Sequence, residues 1–451
     1  MREGSLDAPT RHPIPWQDPD FTDPAKIEAE LRRVFDICHG CRRCFNLCDS
    51  FPTLFDLIDA SPTGELDTVD SAAFKPVVDG CTLCDMCFMT KCPYVPPHAF
   101  DLDFPHLMLR YRAMEAAQGK LAFAEKQLAA TDRNGKLAGV VAPLANWATS
   151  RANTRMRGVL ARAADLDPRA ELPKYHTNSF VTQAKRTDAT PNQDAPAFGR
   201  KAVLYATCFV NYNDPDMGAA ARAVLAKNGV ATEVVHPQCC GMPLLEQGRI
   251  KEVADAARVV AAEMASWIDQ GYDIIALVPS CALMLKFEWP LILPDDPAVK
   301  RLAAATFDIS EYVVDIARKE GLAPGLAPVP EGVTVHLACH ARAQNMGQKA
   351  AELLRLLPET EVGVVERCSG HGGSWGFRSG HFETAMKIGR PAARQARDDG
   401  KGWVASECPL AGVHLAQGIE ALGIEALGGD APRPILAGHP IEILARAYGL
   451  A

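Results

Sequence analysis

Two short runs of cysteine carry the most specific chemistry in this sequence. In the downstream run three cysteines recur at every third residue and a fourth follows after four residues: Cys81, Cys84, Cys87 and Cys92. The upstream run has nearly the same spacing: Cys38, Cys41, Cys44 and Cys48. Three thiolates at this spacing hold corners of one [4Fe–4S] cube, and the more distant fourth thiolate ligates another cube.

These spacings resemble those of two-cluster bacterial ferredoxins. In those ferredoxins the fourth cysteine of each run ligates the cluster of the other run. The same exchange here would bind one cluster to Cys38, Cys41, Cys44 and Cys92. It would bind the other cluster to Cys81, Cys84, Cys87 and Cys48. Structural zinc sites usually present cysteines as two separated pairs, and disulfide frameworks suit small secreted chains. The sequence therefore predicts two [4Fe–4S] clusters.

The composition of the chain narrows its class. Its 451 residues, 48% of them hydrophobic, suffice for roughly two to four domains with sizeable cores. The net charge of −8 argues against nucleic acid as a partner. An odd number of cysteines, 15, suits metal ligands and free thiols better than complete disulfide pairing. The first 23 residues show no secretory signal, so we expect a protein of the reducing cytoplasm.

Helical patterns surround the cysteine runs. Residues 1–23 are predicted to form an extended arm, and a helix over 25–37 leads into the first cysteine run. Apolar residues at helical spacing predict a further helix over 104–130. We therefore predict one mainly helical, ferredoxin-like domain over residues 1–130.

A connector is predicted over residues 131–199. Its segment 144–164 is predicted as a single helix with apolar side chains at helical spacing. The helix carries four arginines: Arg151, Arg155, Arg157 and Arg162. Such a basic amphipathic helix is able to lie on a membrane, here peripherally on its inner face, or to be a solvated face packed by a few apolar residues. The polar segment 182–200 is interpreted as a linker.

From residue 200 onward, β-rich runs alternate with helical ones, which is typical of α/β architecture with parallel strands. The predicted strands are 202–207, 232–236, 273–278, 333–338, 362–366 and 403–406. Each is followed at once or within a few residues by a cysteine: Cys208, Cys239, Cys281, Cys339, Cys368 and Cys408. Free cysteines are often buried as small hydrophobes, but six at strand ends favour a ligand site, since such sites gather at the carboxyl ends of parallel strands.

The same cysteines reveal a repeat. Three pairs recur at an almost constant offset: Cys208 with Cys339, Cys239 with Cys368, and Cys281 with Cys408. Downstream of them, the segment 313–318 is similar to 441–446. We predict two tandem copies of one fold, over residues 200–330 and 331–451, with both groups of cysteines facing a common cleft.

The first copy contains Cys239-Cys240-Gly241, and the spaced set of cysteines resembles the cysteine-rich CCG domain. That domain occurs in heterodisulfide reductases, in lactate-utilisation iron–sulfur proteins and in the subunit named C of anaerobic glycerol-3-phosphate dehydrogenases. The order of the two-cluster region and the two repeats along the chain is most similar to that in the last of these proteins and in the subunit named D of heterodisulfide reductase. The resemblance implies a multidomain fold, an α-helical two-cluster ferredoxin-like domain followed by two tandem α/β CCG-type repeats.

Both copies depart from the family pattern of a cysteine, then CCG, then CxxC. The first copy keeps four potential ligands: Cys208, Cys239, Cys240 and Cys281. The second copy, in which Ser369 takes the middle place of the motif, keeps three: Cys339, Cys368 and Cys408. In heterodisulfide enzymes the full set holds a non-cubane cluster that cleaves a disulfide, and the missing cysteines place that cluster type in doubt. Four thiolates still suffice for a [4Fe–4S] cluster.

The three thiolates of the second copy suggest a cluster with an open or substituted corner, a zinc ion, or a larger centre shared across the cleft. His340 and His371, each next to or near one of these cysteines, are candidates to complete a site or to form hydrogen bonds around it. Gly370, Gly372 and Gly373 would let backbone N–H groups approach sulfur or an anion, or would form a tight turn.

The resemblance implies an iron–sulfur electron-transfer subunit. It would take electrons from a flavoprotein dehydrogenase or other redox partner and pass them through the two clusters and a CCG-domain metal centre to a quinone or other acceptor. Because no GxGxxG fingerprint follows a strand, we expect the flavin on the partner. The alternative is a thiol–disulfide reductase with its catalytic cluster between the repeats, so whether the chain is itself an enzyme stays open. A redox sensor is disfavoured because no output domain is visible.

Overall fold

The computed structural model describes residues 9–427 and 436–450, so residues 1–8 of the predicted arm lie outside it. The N-terminal part is helical, with α1 (Pro24–Cys41), α2 (Ser50–Asp59), α3 (Lys75–Asp79) and α4 (Phe104–Ala117). The Asp23 side chain caps α1 by accepting a hydrogen bond from the Lys26 amide at 2.9 Å. Helix α1 extends beyond the predicted 25–37, and Cys38 and Cys41 therefore lie on its last turn.

The single helix predicted over 104–130 is wrong. Helix α4 ends at Ala117, and α5 (Phe123–Ala129) begins after a turn. Gly119 in this turn has a φ of 72°, a left-handed conformation that glycine adopts without steric cost. The Lys120 amide then donates to the Glu115 carbonyl at 3.0 Å, which closes α4 in the manner of a glycine C-cap.

The connector contains α6 (Thr131–Val140), α7 (Ala142–Thr149), α8 (Thr154–Ala164) and α9 (Phe180–Ala184). The single helix predicted over 144–164 is also wrong, because Ser150 is extended and the Asn153 side chain caps a new helix, α8. Arg157, predicted among the basic residues of that helix, is buried. Its guanidinium donates hydrogen bonds to three backbone carbonyls of the segment 167–170. These carbonyls compensate part of the cost of burying this charge, while the Arg157 Nη1 atom has no hydrogen-bond partner within the described residues.

Two four-stranded parallel sheets form the C-terminal half. The first contains β1 (Lys201–Tyr205), β2 (Ala231–Val235), β3 (Asp273–Ala276) and β4 (Thr306–Asp308), in the order β2-β1-β3-β4. The second contains β5 (Val333–His336), β6 (Val362–Val365), β7 (Trp403–Ser406) and β8 (Leu436–Gly438), in the order β6-β5-β7-β8. All six predicted strands are confirmed, and the matching strand orders agree with the predicted repeat. Strands β4 and β8 have only three residues each and were not predicted.

Helices connect the strands and cover the sheets. Those of the first copy are α10 (Cys208–Tyr212), α11 (Pro215–Lys227), α12 (Met242–Leu245), α13 (Ile250–Asp269), α14 (Pro279–Leu283), α15 (Trp289–Ile292), α16 (Pro297–Ala305) and α17 (Ile309–Lys319). Those of the second copy are α18 (Cys339–Ala343), α19 (Lys349–Leu354), α20 (Phe382–Asp398), α21 (Pro409–Leu427) and α22 (Pro440–Ala447). The similar segments 313–318 and 441–446 lie on α17 and α22, which follow the last strand of each sheet.

The central strands carry the core. Leu204 on β1 pairs in parallel with Val234 and Ile275 on its two neighbours. One continuous apolar core runs from the N-terminal helices into both sheets, with Phe35, Leu204 and Val335 all fully buried. The domain boundaries at 130, 199 and 330 therefore stay predictions. Since every pairing is parallel, all strands of a sheet end at the same edge, which is where the cysteines follow.

Candidate metal centres

The first thiol group consists of Cys38, Cys41, Cys44 and Cys92. Two of its members lie on the last turn of α1, where residues three apart share a face. The fourth follows a π-helical turn, Cys87–Lys91. Burial and the neighbouring thiols raise the pKa of Cys38 well above its ordinary value and that of Cys44 to about 12. A small cavity lies among the four side chains, with Phe51 and Phe55 on its apolar wall.

The second thiol group consists of Cys48, Cys81, Cys84 and Cys87. Burial and then the thiols of Cys84 and Cys81 raise the pKa of Cys48 well above its ordinary value. Burial and the other three thiols of the group raise the pKa of Cys87 in the same way. Each group thus takes three thiols from one run and the fourth from the other. Crossed ligation would need this grouping, and ligation itself stays a prediction.

The loop that carries Cys84 has an unusual backbone. Leu83 and Asp85, on either side of it, have positive φ values of 48° and 63°, which residues other than glycine seldom adopt. The Asp85 carboxylate accepts two hydrogen bonds from the Arg11 guanidinium, at 2.8 and 2.9 Å. Such strained conformations persist only where surrounding contacts hold them. Sequence reasoning missed Arg11, because nothing distinguishes it within the polar arm.

Both thiol groups fit iron–sulfur clusters. All 15 cysteines are free thiols, and burial disfavours the thiolate that would bind iron unless metal compensates the charge. Within residues 9–427 and 436–450, no three His, Cys, Asp or Glu side chains converge as ligands of a single metal ion would. A cluster binds each thiolate at a different iron, so its ligands stand farther apart than those of one zinc ion.

In the first copy, the four cysteines meet at the carboxyl ends of the strands. Cys208 begins α10 after β1, Cys239 and Cys240 follow β2, and Cys281 lies on α14 after β3. The Sγ atoms of Cys208 and Cys239 are 3.6 Å apart. The neighbouring thiols of Cys208 and Cys240 lower the pKa of Cys239 well below its ordinary value, whereas the neighbouring thiols of Cys239 and Cys281 raise the pKa of Cys240. The four thiols therefore share one buried site.

The connector contributes to this site. The Asp132 carboxylate on α6 accepts a hydrogen bond from the Cys239 amide at 2.7 Å and hydrogen-bonds to the His236 ring at 2.7 Å. The buried Thr131 hydroxyl lies beside the thiols of Cys208 and Cys239 and acts to lower the pKa of both. Sequence reasoning missed Thr131 and Asp132, because no motif marks them and they are far from the cysteines along the chain.

In the second copy, two of the three thiols face the N-terminal cysteines. Cys339 lies beside Cys368 and also beside Cys84 of the second thiol group, and both thiols raise its pKa. Cys368 in turn contributes to the raised pKa of Cys48. The contact from Cys339, together with the Gly370 amide that donates to the Cys368 sulfur at 3.3 Å, lowers the pKa of Cys368 to about 7.

The third thiol of this copy, Cys408, lies elsewhere. Burial raises its pKa to about 11, and Cys281 of the first copy adds to the shift. The Nε2 atom of His371 is 3.8 Å from its sulfur, while Nδ1 accepts a hydrogen bond from the Gly373 amide at 3.1 Å. This arrangement places the ring proton on Nε2, which favours a hydrogen bond to sulfur over metal ligation. His340 instead hydrogen-bonds to a backbone carbonyl of the N-terminal part at 3.3 Å.

The glycines after Cys368 form a tight turn. Gly370, Gly372 and Gly373 have φ values of 80°, 51° and 60°. A Cβ atom on Gly370 would lie 2.0 Å from the Ala385 carbonyl oxygen, so a larger residue does not fit there. Gly370 therefore has both predicted roles: it is part of a tight turn, and its amide N–H points at the Cys368 sulfur.

The profile of the cysteine-rich CCG domain matches residues 202–286 and 333–416. The chain belongs to the family of CCG-domain proteins. It is 29% identical to the subunit named C of anaerobic glycerol-3-phosphate dehydrogenase from Escherichia coli K12, over 62% of this chain and 69% of that protein. It is 28% identical to the subunit named B of fumarate reductase (CoM/CoB) from Methanothermobacter marburgensis, over 50% of this chain and 44% of that protein. Lactate utilization protein A of Geobacillus kaustophilus is 30% identical, over 42% of this chain and 81% of that protein.

Proposed function

We propose that this chain is an iron–sulfur electron-transfer subunit. It accepts electrons from a flavoprotein dehydrogenase or another redox partner and passes them through two [4Fe–4S] clusters to a metal centre in the CCG repeats. From there they leave to a quinone or another acceptor. Two relatives are named as subunits, one of a dehydrogenase and one of a reductase, which supports a redox role beside a partner protein.

The observation that carries this proposal is an unbroken succession of thiol groups. Cys44 of the first group lies close enough to Cys87 of the second to contribute to its raised pKa. Cys84 of the second group lies close enough to Cys339 of the second repeat to contribute to the raised pKa of Cys339. The first repeat adjoins the second through Cys281. Bound clusters would supply the one-electron carriers, and the chain's own residues hold the sites adjacent and exclude water.

Iron analysis and EPR of anaerobically purified protein test the proposal. Two cubes need four irons each, so we expect about eight iron atoms from the N-terminal cysteines alone. Cys92→Ser should perturb the EPR signal of the first group, and Cys48→Ser that of the second. Zinc without iron would contradict the proposal. Equal loss of both signals in both variants would contradict the crossed grouping but not the cluster count.

A thiol–disulfide reductase is the second candidate. It is favoured by the second repeat, where three thiols instead of four would leave a position on a bound metal centre for substrate. Anaerobic protein reduced with dithionite, then mixed with a small disulfide, distinguishes the two. A reductase releases thiols catalytically, whereas a relay only returns electrons to an added acceptor.

We also propose that the connector contacts a membrane surface peripherally. No helix within the described residues is long and apolar enough to cross a bilayer. The segment from α6 to α8 nevertheless exposes apolar side chains, between 47% and 80% accessible: Leu137, Val140, Val141, Leu144, Trp147 and Val159. Exposed cations lie on the same helices: Arg133, Lys136, Arg155 and Arg162. An anionic phospholipid surface complements both the apolar and the basic side chains.

Sedimentation with vesicles tests this contact. We expect binding to vesicles rich in anionic lipid, weakened by salt because the basic side chains contribute. The double variant Leu144→Ser, Trp147→Ser should lose most of the binding. Val259→Ser, which removes a comparably exposed apolar side chain from α13, should bind like the wild type. Equal binding to neutral vesicles at high salt would contradict the electrostatic part of the proposal.

A further inference from the structure

A cavity of about 580 Å³ lies beside the second thiol group, where three parts of the chain meet. Cys81 and Leu121 line it from the N-terminal part, Pro243 from the first repeat and Trp375 from the second. The volume is within the range of small-molecule sites, which often form between domains. Because a cysteine of the second group forms part of the wall, a bound molecule would lie next to a cluster held there.

Most charges in the cavity wall neutralise one another. Lys75 forms ion pairs with Asp79 and Glu115 at 2.9 and 3.1 Å. Arg378 forms an ion pair with Glu125 at 2.6 Å. These pairs leave little net charge to attract an ion. The cavity therefore suits a neutral molecule with polar edges better than an anion or a cation.

Glu246 is the exception in this wall. Glu246 is half-buried, its carboxyl lies against Gly373 at the cavity wall, and within the described residues no group donates a hydrogen bond to that carboxyl. The Arg112 guanidinium acts on it only through charge, since its hydrogen bonds go to three backbone carbonyls. Burial raises the pKa of Glu246 to about 7, and Arg112 only partly opposes the shift. This carboxyl therefore faces the cavity without a hydrogen-bond donor and holds a proton near neutral pH.

An aromatic surface forms another part of the wall. The Trp375 ring stacks on His381 with ring centroids 4.7 Å apart, and its indole N–H donates to the Asp79 carbonyl at 2.9 Å. These contacts fix the plane of the ring. Burial lowers the pKa of His381, which favours the uncharged form of its ring. Besides the charged residues already named, Lys120 also lines the cavity.

We propose that this cavity binds a small quinone-type acceptor and that Glu246 delivers a proton to its carbonyl oxygen. The inference rests on the proposed relay, because the electrons must come from clusters that the dehydrogenase partner has reduced. Two electrons arrive one at a time past Cys81 and convert the two C=O groups to C–O–H groups. One proton comes from Glu246, which is reprotonated from solvent, and the second comes from solvent directly. The Trp375 face provides a flat apolar surface for the ring.

Reoxidation of the reduced holoprotein tests the proposal. Clusters are reduced anaerobically, and their absorbance is followed by stopped flow after mixing with menadione or with ferricyanide, which accepts an electron without a proton. Glu246→Gln should slow reoxidation by menadione about a hundredfold, the scale of lost general-acid assistance, and leave ferricyanide unaffected. Trp375→Leu should raise the menadione concentration needed for half the maximal rate. Glu263→Gln, an exposed carboxylate on α13, should match the wild type with both acceptors.

The pH profile gives a further readout. With menadione, the wild-type rate should fall as pH rises through about 7, because Glu246 loses its proton there, and the profile of Glu246→Gln should be flat over that range. Glu246→Asp keeps a carboxylic acid but places it farther from the cavity, because the aspartate side chain is shorter. This variant should react at an intermediate rate. A wild-type rate and profile for Glu246→Gln would overturn the cavity proposal and leave the relay standing. Failure of both acceptors to reoxidise wild-type protein would overturn the relay itself.

Discussion

The two CCG repeats share one strand order and carry cysteines at the same strand ends, but they use them differently. In the first repeat the four thiols gather into one site, backed by Asp132 from the connector. In the second repeat Ser369 stands where the first has Cys240, and two of the three remaining thiols approach the N-terminal cysteines. The same fold thus forms a self-contained site in the first repeat, whereas in the second repeat it forms a junction, meaning a contact between its thiols and the N-terminal cysteines.

The repeats are also attached differently. The N-terminal arm holds the first repeat: Arg11 forms an ion pair with Glu288 at 3.1 Å, and the Trp16 indole donates to the Ile292 carbonyl at 2.8 Å. The second repeat is attached through the glycine turn beside its cysteines, where the Trp375 indole donates to a carbonyl of α3. Disturbing the second repeat should therefore affect electron transfer first, and disturbing the arm should affect stability first.

Removal of one thiol from each repeat gives the largest expected contrast. Cys368→Ala removes the thiol that lies between Cys339 and Cys48, so transfer from the N-terminal clusters into the repeats should fall at least about a hundredfold. Cys208→Ala should reduce the metal content of the first repeat while the N-terminal clusters still reduce the second. Stopped-flow reduction kinetics with iron analysis measure both. Wild-type kinetics in Cys368→Ala would show that the second repeat is not a junction.

The cysteine groups could be predicted from the sequence, because the ligands of a cluster are of few residue types and follow one another at short, regular spacings. Strands were accessible for a similar reason, since short β-rich runs end in turns. The helix breaks at Gly119 and Ser150 were missed, because the apolar spacing continues across both. A glycine is tolerated within helical patterns, and nothing near Ser150 forbids a helix.

Contacts that depend on tertiary structure were not predictable. Asp132 reaches Cys239 only after the connector has packed on the first sheet, and Arg11 reaches Asp85 only after the arm has crossed the N-terminal helices. Glu246 carries no motif, and its unusual pKa arises from burial between parts that are distant in sequence. Sequence patterns thus identified groups of like residues, and the structure added the single residues that surround them.

The arm provides the second test of the comparison. Arg11 is bound by Asp85, Asp103 and Glu288, and although burial opposes ionisation of Asp103, His106 and Arg11 lower its pKa to about 2. Arg11→Met would leave these carboxylates buried without their cation. We expect a loss of about 3–5 kcal/mol of stability, seen as a lower denaturation midpoint of the holoprotein.

A surface pair on the same repeat serves as the control for that variant. Arg301 and Asp269 are both largely exposed, and Nη2 of Arg301 lies 2.6 Å from Oδ1 of Asp269. Arg301→Met should therefore change stability by about 0.5 kcal/mol or less, since exposed ion pairs contribute little. Similar midpoints for the Arg11 and Arg301 variants would mean that the arm does not hold the first repeat in place.

The smallest expected effect comes from giving the second repeat its missing thiol. Ser369→Cys restores the CCG motif with a side chain of nearly the same size at a buried position. If the open position makes this centre labile, a fourth thiolate should slow the loss of iron to a chelator by about tenfold, the usual scale of changes around a metal site. If the repeat is a junction by virtue of its contacts with Cys84 and Cys48, electron transfer should stay near the wild-type rate. Slower chelation together with lost transfer would instead indicate that the open position, and not the contacts, distinguishes the two repeats.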